Sequence, residues 1–381
     1  MTGSRDDRRT KLGQLARLFG RLGVVAFGGP AAHIAMMHDE VVTRRRWLTD
    51  AQFVDLIGVT NLIPGPNSTE MTMHVGRERA GWRGLVVAGA SFIVPAAAIV
   101  LAFAVAYVEY GQTPSGQALL YGVKPVVLAI IGQALVKLGR TALGGAGALG
   151  WVVGGAALVA YLAGGNEIAI LLAGALAALG WRTARPTQGP AALAGMLFAA
   201  GTGASLDLGR ILFVFTKIGA VLYGSGYVLL AFLRSDLVTR LDVLTDQQLL
   251  DAVAIGQFTP GPLFTTATFI GYLLAGLPGA IVATVGIFLP AFCFVAAVGP
   301  HVERLRRRAW SAALLDGVNA AAFGLMAGVM IELAGDALVD PLTVAVALAT
   351  AAALWRTALN SAWLVLAGAV IGVLTTITGV V

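Results

Sequence analysis

Cysteine is almost missing from this chain of 381 residues. Cys293 stands alone, which excludes an internal disulfide and any cysteine-built metal site. Charge is scarce as well: 12% of residues are Asp, Glu, Lys or Arg, against 57% apolar. A soluble chain of this length could not present such a composition to water. The four histidines (His33, His38, His74 and His301) have no metal-ligand spacing, so no metal and no cofactor is expected. There is no Walker sequence to support ATP-driven transport, and no nucleophile–base constellation to suggest an enzyme. The net charge of +6 is scattered over short loops. It reads as the positive-inside bias of a membrane protein, and no nucleic-acid partner is expected. Residues 1–11 are polar and basic, with no apolar core directly behind them and no small-residue cleavage site, unlike a removable signal peptide.

What the chain does have is apolar length. Segments long enough to span a bilayer lie near 84–108, 117–139, 142–163, 166–181, 280–300, 309–334, 337–355 and 358–381, with a shorter one near 190–206. The expected fold class is an all-α polytopic protein whose principal partner is the lipid bilayer.

The chain also repeats itself. Phe19, Arg21, Gly23, Phe27 and Gly28 match Phe215, Lys217, Gly219, Tyr223 and Gly224 at a shift of 196. The shift holds through Leu48-Thr49-Asp50 and Leu244-Thr245-Asp246, Asp55 and Asp251, and two Pro-Gly-Pro triplets, Pro64–Pro66 and Pro260–Pro262. One residue then drops out, and Gly76, Gly84, Pro95 and Gly122 match Gly271, Gly279, Pro290 and Gly317 at 195. The expected organisation is a polar basic N-terminus (1–14), a first repeat with its following helices (15–181), a linker with a short apolar segment (182–210) and a second repeat (211–381). Arg77, Arg79 and Arg83 precede the span at 84–108, whereas Arg304, Arg306, Arg307 and Arg308 follow its counterpart at 280–300. By the positive-inside rule the two spans run in opposite directions, so the repeats have inverted topology. The N-terminus is then cytoplasmic and the C-terminus outside. Residues 15–80 allow two readings. They cross twice, or they dip in as re-entrant hairpins that keep Arg44, Arg45 and Arg46 inside.

Two matched breaks carry the chemistry. Proline removes an N–H and clashes with the preceding turn, and glycine weakens a helix further. Irregular backbone at membrane depth must be buried in protein or line a wet cavity, and paired breaks in two halves point to a transporter's substrate site. Each break is followed by a half-helix whose free N–H groups and positive dipole end suit an oxyanion. The candidate substrate-binding residues are Asn61, Pro64, Gly65, Pro66, Asn67, Ser68 and Thr69 in the first half, and Gln257, Pro260, Gly261, Pro262, Thr265 and Thr266 in the second. Asn67, Ser68 and Thr69 are also candidate caps for the half-helix, and Thr49 or Asp50, with Thr245 or Asp246, for the helices before the breaks. The alternative is a kink that only shapes packing. Gly28-Gly29-Pro30 and Gly224-Ser225-Gly226 form a second matched pair, read either as backbone opened to substrate or as close helix packing. Arg21, Lys217 and Lys124 are cation candidates for a dianion, with snorkelling to the headgroups as the other reading. Glu70, His33, Asp55 and Asp251 are candidates for a coupling ion, a proton or Na⁺; the two aspartates read first as ion-pair partners of nearby arginines, and Glu70, directly behind the first break, is the better candidate for a proton relay.

At these residues the chain resembles the chromate ion transporter family of bacterial membrane proteins. The resemblance rests on Phe27-Gly-Gly-Pro30-Ala-Ala-His33, Trp47-Leu-Thr-Asp-Ala-Gln-Phe53, Pro64-Gly-Pro66, and Gly81-Trp-Arg-Gly84 leading to Phe92-Ile-Val-Pro95. It spans both halves, as in the long two-domain form. It implies oxyanion transport across the inner membrane, typically chromate efflux conferring resistance, with sulfate as a related substrate or competitor. A secondary transporter of this kind would work by alternating access of its two repeats, alone or as a homodimer. A membrane scaffold or assembly subunit without transport is the reading from another class.

Overall fold

The computed structural model describes residues 5–183, 207–223, 226–298, 309–357 and 359–378. Gly224 and Ser225, most of the linker with its apolar segment at 190–206, and the arginines at 304–308 lie outside the described residues. The described chain is helical, and four of its helices are long and apolar enough to cross a bilayer. This is a multi-pass helical membrane protein.

In the first half, α1 (Arg5–Val25), α2 (Gly29–His38), a π turn (Asp39–Arg44) and α3 (Asp50–Thr60) lead to α4 (Asn67–Tyr110) and α5 (Pro114–Ala146). Two shorter helices follow, α6 (Ala148–Leu162) and α7 (Glu167–Thr183). The second half repeats this order: α8 (Leu208–Val221), a 3-10 turn (Gly226–Val228), α9 (Leu229–Leu233), a π turn (Arg234–Arg240), α10 (Asp246–Phe258), a 3-10 turn (Leu263–Thr265) and α11 (Thr266–Val298). Then come α12 (Ala309–Ala337), α13 (Pro341–Arg356) and α14 (Ser361–Ile377).

Matching sequence gives matching local structure. Thr49 and Thr245 each close a capping box, with Gln52 and Gln248 reaching back. Arg46 and Asp242 take the same left-handed conformation, φ 51° and 50°. The long helices bend alike, at Ala80-Gly81 (φ −145° and 66°) and Ala275-Gly276 (φ −153° and 59°). At each bend a glycine pair lets the backbone fold close: a Cβ on Gly76 would stand 2.2 Å from Gly84 O, and one on Gly271 would stand 2.3 Å from Gly279 O.

The span expected at 84–108 is the part of α4 beyond Ala80-Gly81, where the backbone leaves helical geometry. A helical run from Asn67 precedes it, and the two runs fold back on each other with Gly76 against Gly84. Two expectations are corrected. No side chain caps α4; its N-cap position is Pro66, so Asn67, Ser68 and Thr69 fall inside the first turn. Finally, α6, α7, α13 and α14 have 15, 17, 16 and 17 residues. At 1.5 Å per residue each is shorter than a hydrocarbon core of about 30 Å.

The halves interlock. The pair α4 and α11 forms the central contact, with α1 packed on α4 and α8 on α11. The last two helices of each half cross over: α6 and α7 pack on α12, and α13 and α14 on α5. Glycines set these distances, as small residues do between membrane helices. A Cβ on Gly122 would lie 2.0 Å from Gly368 O, and one on Gly317 would lie 2.2 Å from Gly174 O. The outer surface carries large apolar side chains, including Val94, Val159 and Leu348. Trp82, Trp151, Trp181, Trp355 and Trp363 are exposed near helix ends or bends, the positions that suit amphipathic rings at a membrane interface.

Candidate functional site

Helix α3 ends at Thr60, Asn61 occupies its C-cap, and the chain turns through Pro64-Gly65-Pro66 before α4 begins. Gly65 takes φ 141° and Gly261 φ 92°, a region that L side chains rarely enter. The two glycines are tied by one reciprocal pattern. The Gly65 N–H donates to Leu222 O at the end of α8, and the Gly261 N–H donates to Ala26 O at the end of α1, both at 2.9 Å. Ala26 and Leu222 are themselves repeat mates. Each break is therefore completed by the other half. Each also presses on the other half's long helix: Cβ atoms on Gly65 and Gly261 would lie 3.4 Å from Ala291 and 2.4 Å from Ala96.

The first break is strongly polar. Asn67 Nδ2 donates to Asn61 Oδ1 at 2.9 Å, and the Tyr223 hydroxyl donates to Asn61 O. Ser68, Thr69 and Glu70 are buried in the first turn of α4. Thr69 Oγ1 and both Glu70 carboxylate oxygens have no hydrogen-bond partner. The Thr69 and Glu70 N–H groups bond to Pro66 O, while no side chain caps the preceding ones, which leaves donors free at the helix start.

The second break keeps its polar groups to itself. Thr265 Oγ1 donates to Pro262 O and Thr266 Oγ1 to Leu263 O, each at 2.8 Å. Leu263 and Phe264 stand where the first break has Asn67 and Ser68. Gln257 Nε2 is buried without a partner. Gly28 (φ 103°) and Gly29 (φ 76°) make a true break between α1 and α2. His33 on α2 reaches back to Ala26 O at 3.0 Å, the same carbonyl that receives Gly261.

The structure gives the cation candidates acidic partners. Lys217 Nζ lies 2.5 Å from Asp236 Oδ1, and both side chains are buried. Arg21 lies 3.6 Å from Glu40 and remains 63% exposed. Glu40 also pairs with Arg44 and Arg45, and Asp236 with Arg240. Sequence reasoning missed Glu40 and Asp236. The signal was available: they are repeat mates, each a few residues before a matched arginine (Arg44 and Arg240). Lys124 pairs with the buried Asp251 at 3.5 Å, and the Tyr107 hydroxyl donates to Asp251 at 2.9 Å. This group lines a cavity of about 520 Å³ together with Tyr121, Gln248 and Asp336. Asp55, the mate of Asp251, is exposed on α3. The structure thus sets Glu70 against the first break and His33 on the carbonyl that receives the second, and keeps the Lys124–Asp251 pair near the far end of α4.

A family model described as chromate transporter matches residues 13–181 and 209–373. The chain belongs to the chromate transporter family. It is 34% identical to a chromate transport protein of Cupriavidus metallidurans, covering 94% of this chain and 91% of that one. It is 31% identical to a probable chromate transport protein of Synechococcus elongatus, over 91% of this chain and 90% of that one. A chromate transport protein of Pseudomonas aeruginosa is 32% identical over 84% of this chain and 80% of its own length. These relatives are transport proteins and not enzymes. No solved structure matches the chain.

Proposed function

We propose that this member of the chromate transporter family is a secondary transporter of a tetrahedral oxyanion, chromate first and sulfate second, acting as an exporter in a bacterial inner membrane. The observation that carries the reading is the reciprocal exchange at Gly65 and Gly261, which makes both helix breaks part of one interface between the halves. The relatives named for chromate transport give the substrate class. In this reading the repeats, 15–181 and 211–381, have inverted topology, and rocking one against the other exposes the breaks alternately to each side. The exposed tryptophans beside Arg83 and Arg356 fit a cytoplasmic interface there, with the N-terminus inside and the C-terminus outside. Backbone N–H groups at the start of α4 hold the oxyanion, aided by Ser68 and Thr69. Lys217 and Arg21 serve it only when they part from Asp236 and Glu40. Energy comes from an electrochemical ion gradient, membrane potential included, with H⁺ or Na⁺ as the coupling ion, and the working unit is one chain or a pair.

A non-transporting scaffold would pack its breaks with every polar atom satisfied, which the unpartnered Thr69 and Glu70 oppose. Purified protein in liposomes should move chromate, and added sulfate should slow it. Sealed vesicles that hold folded protein and show no flux of either anion would refute the reading.

A further inference from the structure

One acidic group at the first break has no hydrogen-bond partner. Glu70 is fully buried, and neither carboxylate oxygen meets a hydrogen-bond partner. Its Oε1 lies 2.3 Å from where a Cβ on Gly65 would stand, so the carboxylate fills the glycine's open side. Thr69 Oγ1 beside it is equally buried and unpartnered. The uncapped start of α4 offers its partial positive charge to one anion. A carboxylate and an oxyanion at that single helix end repel each other strongly in a medium of low dielectric.

Resting on the oxyanion reading above, we propose that Glu70 must bind a proton before an oxyanion can occupy the start of α4, so that one proton crosses the membrane with each oxyanion and in the same direction. The proton bonds to a carboxylate oxygen and makes a neutral acid whose O–H can donate to the oxyanion. When the oxyanion leaves on the far side, the acid ionises against the vacated helix end and releases its proton there. A dianion is thereby moved with one net negative charge, so that export draws its energy from the inside-negative membrane potential and runs against the inward proton gradient. The matching position in the second half is Thr266, which carries no titratable proton in this range, so the stoichiometry is one.

The charged and titratable groups on the elements round Glu70 leave it this role. His74 lies one turn further along α4 and bears an unpartnered Nε2. Tyr223, after α8, is within electrostatic reach of Glu70 but donates to Asn61 O. His33 on α2 bonds Ala26 O. Arg21 on α1 pairs with Glu40, and Asp50 and Asp55 on α3 are exposed. Lys124 and Asp251 meet α4 at its other end, through Tyr107. Helix α11 carries no Asp, Glu, Lys, Arg or His.

The test uses the full chain in liposomes with a trapped pH dye and the membrane potential clamped. Sulfate is the probe for binding, since it has no proton to exchange near neutral pH; chromate and sulfate are both used for flux. An anion gradient should drive protons in its own direction. Sulfate affinity should fall by about tenfold per pH unit as pH rises. Glu70→Gln should abolish both the driven proton movement and the pH dependence. Anion flux without proton movement, protons moving the opposite way, or a Glu70→Gln protein that keeps the pH dependence would each overturn the inference. If Glu70→Gln fails to fold, the wild-type proton measurement decides alone. A wild type that carries neither anion refutes the oxyanion reading itself, whereas anion carriage without protons refutes only the proton's role.

Discussion

The two Pro-Gly-Pro breaks share a backbone and differ in chemistry. Both glycines take positive φ, both give their N–H to the end of the other half's first helix, and both follow a helix closed by a Thr/Gln capping box. Yet the first break buries Ser68, Thr69 and Glu70 with three oxygen atoms unpartnered, while the second turns Thr265 and Thr266 onto their own backbone. The matched halves share the backbone scaffold and differ in the polar chemistry placed on it. A buried polar atom without a partner costs about 1–3 kcal/mol, so the three oxygens at the first break are a larger burden than Gln257 Nε2 beside the second.

Substituting the glycines should break this comparison most forcefully. Gly65→Val and Gly261→Val both force a branched side chain into a positive φ, but the added Cβ meets different neighbours. At Gly65 it meets the carboxylate end of Glu70; at Gly261 it meets Ala96 Cβ at 2.4 Å on α4, which has nowhere to turn. Gly65→Val should give folded protein with no flux, and Gly261→Val should lower yield and stability as well. Flux per folded molecule, with a thermal melt, separates the two. Full specific activity in both would remove the breaks from the transport path.

A smaller contrast separates the matched cations. Lys217→Met leaves the buried Asp236 with Arg240 at 3.4 Å as its remaining cation among the described residues, and should destabilise by about 3–5 kcal/mol. Arg21→Gln removes an exposed partner from a Glu40 that keeps Arg44 and Arg45, and should cost about 0–1 kcal/mol. Equal losses in detergent melting experiments would contradict this asymmetry. Between these two in size, Thr49→Ala and Thr245→Ala should each cost about 1 kcal/mol. Their losses should agree, because the boxes are the same; a clear inequality would mean that the scaffolds differ too.

Much of this was legible in the sequence because proline and glycine act locally. Pro64-Gly65-Pro66 and Pro260-Gly261-Pro262 end helices whatever surrounds them, and Thr49 and Thr245 cap the helices before them. What could not be read depends on distant neighbours. The partners of the two glycine N–H groups lie in the opposite half, at Leu222 and Ala26. Lys217 and Arg21 look alike in an apolar stretch; one is buried on a carboxylate and the other stands in the open. Asp55 and Asp251 match in register, but only Asp251 is buried, against Lys124, and the position matching Lys124 is Asn319. The helical run between the first break and Gly81 was hidden because Arg77-Glu78-Arg79 lowers the hydropathy there.

The crossed hydrogen bonds at Gly65 and Gly261 also bear on how the protein is made. Translation delivers Gly65 about 150 residues before its acceptor Leu222 exists, and Ala26 waits longer still for Gly261. At ~5–20 residues per second that gap lasts on the order of ten seconds. During it, the nascent first half has an unclosed turn with Glu70 directly behind it, in or beside lipid. Backbone donors exposed there cost several kcal/mol apiece, so this turn stays costly until the second half arrives to close it.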